Sequence, residues 1–160
     1  MPPPQVQIIA VSPVSLPDDA LLRRDPPRPP ELRPPGYAEQ FDDRTLFYDI
    51  FRCDDAVRLV GPPLRNLEAV ALDSLAASGR SEKVKTTQLA RVQRTTITGI
   101  HRTAMTIDLP LEGSRCSATI GSDLAQLFKE RKVLVTVSKN NDLAWVQDWI
   151  KFHARYHGVD

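Results

Sequence analysis

The sequence predicts an α+β protein in which an antiparallel β domain, a sandwich or a partial barrel, precedes the first strand and helix of a truncated α/β domain. Eleven of the 14 prolines lie within residues 1–35. Short β-branched segments separated by turn residues follow, and the chain then changes to a strand, a polar turn and an amphipathic helix. We therefore divide it into a largely extended Pro-rich arm over 1–43, a β-rich accessory domain over 44–130 and the start of an α/β domain over 131–160.

The arm contains one short apolar run, residues 5–11, which is either an edge strand or disordered. Residues 13–37 centre on DPPRPPELRPP. Because proline lacks an amide donor and fixes φ, we expect this stretch to stay out of any sheet ladder. Its P-x-x-P spacings fit a ligand of a proline-recognising domain, but a tether over the domain surface is favoured because such spacings arise readily in Pro-rich segments.

The β domain is predicted to begin with a hairpin. Residues 46–52 and 56–60 are aromatic and β-branched, and the turn signal Asp54-Asp55 lies between them. Residues 61–63, Gly-Pro-Pro, end the second strand. Residues 64–77 fit either a helical stripe or a weak strand alternation.

Further strands are predicted over 84–107, which is rich in Thr, Val and Ile, and over 115–120. A short helix is predicted over 124–129, capped by Ser122 or Asp123. Met105, Ile107 and Leu109 alternate with Thr106 and Asp108, which is the pattern of a strand with one exposed face.

Composition excludes several function classes. The net charge is +1, from 21 basic and 20 acidic residues, so we expect neither nucleic acid nor an anionic membrane as a partner. No apolar run approaches the roughly 18 residues of a membrane span, and no signal peptide is evident, so we expect a cytoplasmic protein. Cys53 and Cys116 have no metal-ligand spacing; free buried thiols are the favoured interpretation, with a disulfide left open.

The terminal segment begins with residues 133–137, which are apolar at odd-numbered and even-numbered positions alike. This pattern is typical of a strand that is covered on both faces in a parallel sheet. After a polar turn, Asn140 or Asn141 is expected to cap a helix that Gly158 ends. The residues predicted to form its buried face recur at helical spacing: Leu143, Val146, Trp149/Ile150, His153 and Tyr156/His157.

The terminal pattern V-x-V-S-K-N-N-x-L-x-x-V-x-D-W-I-x-F-H-x-x-x-H-G-V-D resembles the opening of family-2-like glycosyltransferases with a GT-A nucleotide-binding fold. The resemblance covers residues 133–160. It departs from the family at Asn141, where Glu is usual, and at Asp148, a conservative change. By this resemblance, the nucleotide of a sugar donor would be bound by Val137, Ser138, Lys139, Asn140 and Asn141.

The resemblance also implies a divalent metal, Mn or Mg, held by a D-x-D motif, and a carboxylate base. Neither is expected in this chain, because its acidic pairs, at 18–19, 42–43 and 54–55, are typical of solvated turns. We therefore expect no catalytic residue, no metal and no cofactor here. The chain would be an inactive N-terminal portion of an enzyme whose partners are a nucleotide-sugar donor and a glycan acceptor.

Two other functions fit the residues. One is a stand-alone β-rich module that binds carbohydrate or protein through Tyr48 and Trp145, and the other is an adaptor that uses the Pro-rich arm. A lone strand from a parallel sheet has no parallel neighbour in this chain. We therefore expect either a homo-oligomer or a marginally stable C-terminus.

Overall fold

The computed structural model describes residues 10–77, 83–111, 114–124, 126–127, 129–133, 135 and 140–159. The chain divides into two compact units, one ending at Asp123 and the other beginning at Leu124. Its strands form antiparallel sheets, and it has few helices in the described ranges. The predicted α+β class with an antiparallel β-rich part is therefore confirmed.

The first unit holds all the described strands. The strands and α-helices of this unit are, in chain order, β1 (Val14–Ser15), α1 (Tyr37–Gln40), β2 (Thr45–Phe47), β3 (Asp49–Cys53), β4 (Ala56–Gly61), α2 (Glu68–Ala77), β5 (Lys83–Leu89), β6 (Val92–Thr98), β7 (Thr106–Leu111) and β8 (Ser114–Thr119). The strands form a four-stranded sheet in the order β3-β4-β6-β5 and two pairs, β1-β2 and β7-β8. The second unit contributes helix α3 (Leu143–His157).

The predicted hairpin is confirmed in β3 and β4. Cys53 pairs with Ala56 across a two-residue turn, in which Asp54 has φ 55°. Aspartate is one of the few residues that adopt this left-handed conformation readily. Along β4, Val57 and Leu59 are fully buried while their neighbours are partly exposed, as expected for a strand with one face on the core.

Residues 64–77 form a 3-10 turn (Arg65–Leu67) followed by α2, so the strand alternative is wrong. Leu67, Ala71 and Leu75 are buried at four-residue spacing, which is the helical stripe. Ser74 is buried beside them, and its Oγ donates a hydrogen bond to the carbonyl of Pro110 in β7 at 2.6 Å. The helix is therefore held on the core by one apolar face.

Part of the Pro-rich arm belongs to the core, which corrects both the exclusion from sheet ladders and the surface tether. Val14 pairs with Phe47 and Ser15 with Thr45, and the side chains of Val14 and Leu16 are buried. The reason lies between the prolines at 13 and 17, where three consecutive residues keep their amide donors. A short edge strand tolerates such flanking prolines.

Gly61, at the end of β4, lies against the backbone of β2. A Cβ at this position would lie 2.9 Å from the Cα of Phe47 and would also collide with the carbonyl oxygen of Leu46. Only glycine allows this approach of the four-stranded sheet to the β1-β2 pair. The contact brings the arm and the main sheet onto the same buried cluster.

Three smaller predictions differ in outcome. The helix predicted over 124–129 is wrong for the described residues there, which form turns; the amide of Leu127, for example, donates to the carbonyl of Leu124. Both cysteines are free, and burial raises the pKa of the Cys116 thiol. The run 5–11 lies outside the described residues except for its last two positions. No helix of the described ranges is long and apolar enough to cross a membrane.

Candidate functional site

Helix α3 begins and ends close to the predicted positions. Its N-cap is Asp142, whose Oδ1 accepts a hydrogen bond from the amide of Ala144 at 2.7 Å. The prediction of Asn140 or Asn141 as the cap is therefore wrong, because the helix starts one residue after Asp142. Gly158, with φ 58°, ends the helix in the left-handed conformation, as predicted.

The structure places two of the predicted donor-binding residues directly before this cap. Asn140 has φ 58°, and both Asn140 and Asn141 are exposed. Val137, Ser138 and Lys139 lie outside the described residues. The described asparagine side chains offer amide donors and carbonyl acceptors at the start of a helix.

The strand predicted over 133–137 is wrong at its two described positions. Val133 and Val135 belong to no strand, and their exposed fractions are 48% and 84%. The other three residues of this stretch lie outside the described residues. At these two described positions the predicted two-sided burial is therefore wrong.

Helix α3 buries none of its residues. Of the predicted buried face, Val146, Trp149 and His153 are partly buried, at the spacing of one helical stripe. The rest of its large apolar side chains are each more than half exposed: Leu143, Trp145, Ile150, Phe152 and Tyr156. The predicted stripe is present, but the predicted burial is wrong.

Aromatic side chains contact one another along this helix. The His153 ring lies 4.5 Å from the Trp149 ring and 5.0 Å from the His157 ring, centroid to centroid. Phe152 lies 4.9 Å from Tyr156 on an adjoining part of the surface. These are contacts between residues three or four apart on one helix, so they order the rings without burying them.

The start of α3 is better suited to neutral hydroxyl groups than to a diphosphate. A helix N-terminus attracts anions through its free amides and its dipole. Here the carboxylate of Asp142 already occupies that position and accepts from Ala144. Hydroxyl groups, which both donate and accept hydrogen bonds, would meet no like-charge repulsion from Asp142. No group of three metal-ligating side chains occurs among the described residues.

A second candidate site, which the sequence did not reveal, lies in the first unit. It is a pocket of about 510 Å³ with four arginines in its walls: Arg24, Arg28, Arg65 and Arg91. Arg24 and Arg28 belong to the Pro-rich arm. Arg65 follows the Gly-Pro-Pro segment at 61–63, and Arg91 lies in the turn between β5 and β6. No sequence spacing relates these positions, so only the folded chain brings them together.

Comparison with protein-family models, curated proteins and solved structures gives no match to this chain. The resemblance of residues 133–160 to family-2-like glycosyltransferases therefore rests on the residue pattern alone.

Proposed function

We propose that this chain is the N-terminal portion of a nucleotide-sugar-dependent glycosyltransferase. In this proposal residues 137–141 contact the nucleotide of the donor, and the β-rich unit is an accessory domain. The resemblance of residues 133–160 motivates the proposal. The observation that carries it is the uncovered apolar face of α3, because such a helix in an α/β domain lies against a sheet.

The energetics of that face favour a covering surface. Leu143 and Ile150, seven residues apart on this face, are each more than half exposed although they are large and apolar. Burying such a side chain fully contributes about 1.5–3 kcal/mol. Two of them represent about 3–6 kcal/mol of unrealised stability, and the sheet of a GT-A-like domain would supply the missing contacts.

The roles follow from the chemistry of the loop. Lys139 is the one cation among the five predicted donor-binding residues, so it would approach the diphosphate, while Ser138 and Asn140 would bind hydroxyl groups. The metal, Mn or Mg, and the carboxylate base are assigned to parts of the enzyme outside residues 1–160. The partners of the whole enzyme would be a nucleotide-sugar donor and a glycan acceptor.

The proposal is tested by an NMR titration of the 160-residue chain with UDP and with GDP, each with Mg²⁺. One of the two nucleotides should shift the backbone amide signals of residues 140–144. Lys139→Ala should weaken this response, whereas Lys151→Ala, an exposed lysine of α3 that pairs with Asp148, should leave it unchanged. Absence of shifts with both nucleotides, or equal effects of the two variants, would count against a donor loop.

A second candidate function is a module that binds carbohydrate through exposed aromatic rings. Trp145 is more than half exposed and Tyr48 nearly half exposed, and such rings form platforms for the apolar faces of sugars. A glycan array should then show binding that Tyr48→Ala or Trp145→Ala abolishes and that no nucleotide affects. A homo-oligomer remains part of either proposal, and light scattering after size exclusion measures it.

A further inference from the structure

Three of the four arginines of the pocket carry positive charge that no ion pair of the described residues neutralises. Within the part of the chain that the structure describes, Arg28, Arg65 and Arg91 form no ion pair. All three are exposed, so their guanidinium groups are accessible from solvent. Like charges gathered in this way repel one another, and a bound anion would relieve that repulsion.

Arg24 is the buried member of the group. It is 6% exposed, and its guanidinium lies 5.0 Å from the centroid of the Phe41 ring. One Nη donates to the backbone carbonyl of Asp42, but Nε is buried without a hydrogen-bond partner among the described residues. A buried donor left unsatisfied costs about 1–3 kcal/mol, so a partner for it is energetically favoured.

The guanidinium of Arg24 is influenced by the charge of Arg65. Burial is the main cause that lowers the pKa of Arg24; Asp42 and Asp43 raise it, and the like charge of Arg65 lowers it. Two cationic side chains are therefore close enough to perturb each other. An anion between them would stabilise the charged form of both.

The pocket walls combine charge with an apolar side. Pro27, Pro62 and Pro63 line it, and the Arg28 guanidinium lies 5.8 Å from the centroid of the Tyr37 ring. Its volume of about 510 Å³ lies in the usual range of small-molecule sites, roughly 300–1,000 Å³. It therefore has room for a ring next to an anionic group.

The backbone is strained at two positions of the same pocket. Arg65 and Ala90 both have positive φ, 56° and 51°, although neither is glycine. A non-glycine residue in this conformation costs on the order of 1 kcal/mol or more, and such residues concentrate at ligand sites. Both residues line the pocket.

We propose that this pocket binds a small molecule that carries a phosphate or diphosphate group, with its non-ionic part against Tyr37 and the prolines. Guanidinium groups match the tetrahedral oxygens of phosphate, and several of them favour a multiply charged anion over a single carboxylate. The site lies in the first unit and uses none of residues 137–141. It is therefore independent of the proposed donor loop.

Isothermal titration calorimetry of the full 160-residue chain tests the proposal with pyrophosphate, glucose 1-phosphate and acetate. Both phosphates should bind measurably more tightly than acetate. The double variant Arg28→Ala/Arg91→Ala should bind pyrophosphate about tenfold or more weakly, since it loses two charge-assisted contacts. Tyr37→Ala should weaken the binding of glucose 1-phosphate and leave the binding of pyrophosphate unchanged.

The matched control is Arg102→Ala/Arg115→Ala, which removes the same net charge from two exposed arginines outside the pocket. It should retain pyrophosphate binding. Equal losses in the two double variants, acetate binding as tight as pyrophosphate binding, or no binding of either phosphate would overturn the proposal. The variant Arg28→Ala/Arg91→Ala should still show the nucleotide-induced NMR shifts of residues 140–144. The two experiments therefore distinguish a failure of this proposal from a failure of the proposed donor loop.

Discussion

The substitution Leu16→Ala tests whether the Pro-rich arm is part of the folded core. Leu16 is 0% exposed, its amide donates to the carbonyl of Arg44, and its carbonyl accepts from Arg44 Nε, each at 2.9 Å. Alanine keeps both backbone hydrogen bonds, so the change isolates the side chain. Truncating a fully buried leucine costs about 2–5 kcal/mol, a large part of the roughly 5–15 kcal/mol that stabilises a typical domain.

Urea unfolding followed by far-UV circular dichroism measures this loss, since both tryptophans lie in the second unit and do not report on the first. Leu21→Ala is the matched control, because Leu21 lies in the same Pro-rich segment but is 91% exposed. It should change the free energy of unfolding by less than about 0.5 kcal/mol. Equal changes in the free energy of unfolding for the two variants would show that the arm is not packed on the core and would favour the surface tether.

Three other changes address local features. Gly61→Ala should lower the free energy of unfolding by about 1–3 kcal/mol, measured in urea, because its Cβ has no room beside β2. Burial disfavours the charge of Asp42, but hydrogen bonds from Thr45 and Arg44 and the charge of Arg24 together outweigh it and lower the pKa of Asp42 below 3.8. This carboxylate stabilises the fold above pH 3.8, so the stability difference between wild type and Asp42→Asn should shrink as the pH falls below that value. Asp142→Ala should reduce the helical circular dichroism signal and cost α3 about 0.5–2 kcal/mol, whereas Asp148→Ala should not.

Local signals in the sequence were sufficient for several elements. The Asp54-Asp55 turn fixed the β3-β4 hairpin, and Gly158 fixed the end of α3. The four-residue spacing of Leu67 and Ala71 was also visible, although it competed with a strand alternation. These features depend on neighbours in sequence, which is why the residue pattern predicts them.

Features that depend on distant residues were missed. The high proline content of the arm does not indicate that the segment at Val14 pairs with β2. Composition describes the arm as a whole, whereas strand pairing needs only a few consecutive residues with free amides. The burial of α3 was overpredicted, since an apolar stripe shows that a helix has a face to bury and not what covers it. The arginine pocket brings together residues as far apart in sequence as Arg24 and Arg91, so no local sequence pattern predicts it.

We propose above that residues 1–160 are the N-terminal portion of a glycosyltransferase. Sequencing the coding region downstream of codon 160 tests it most directly. We expect the reading frame to continue into a strand with a Y-D-N or Y-D-D motif, followed by a D-x-D motif that would hold the metal. A stop codon after codon 160, or an open frame without either motif, would contradict it.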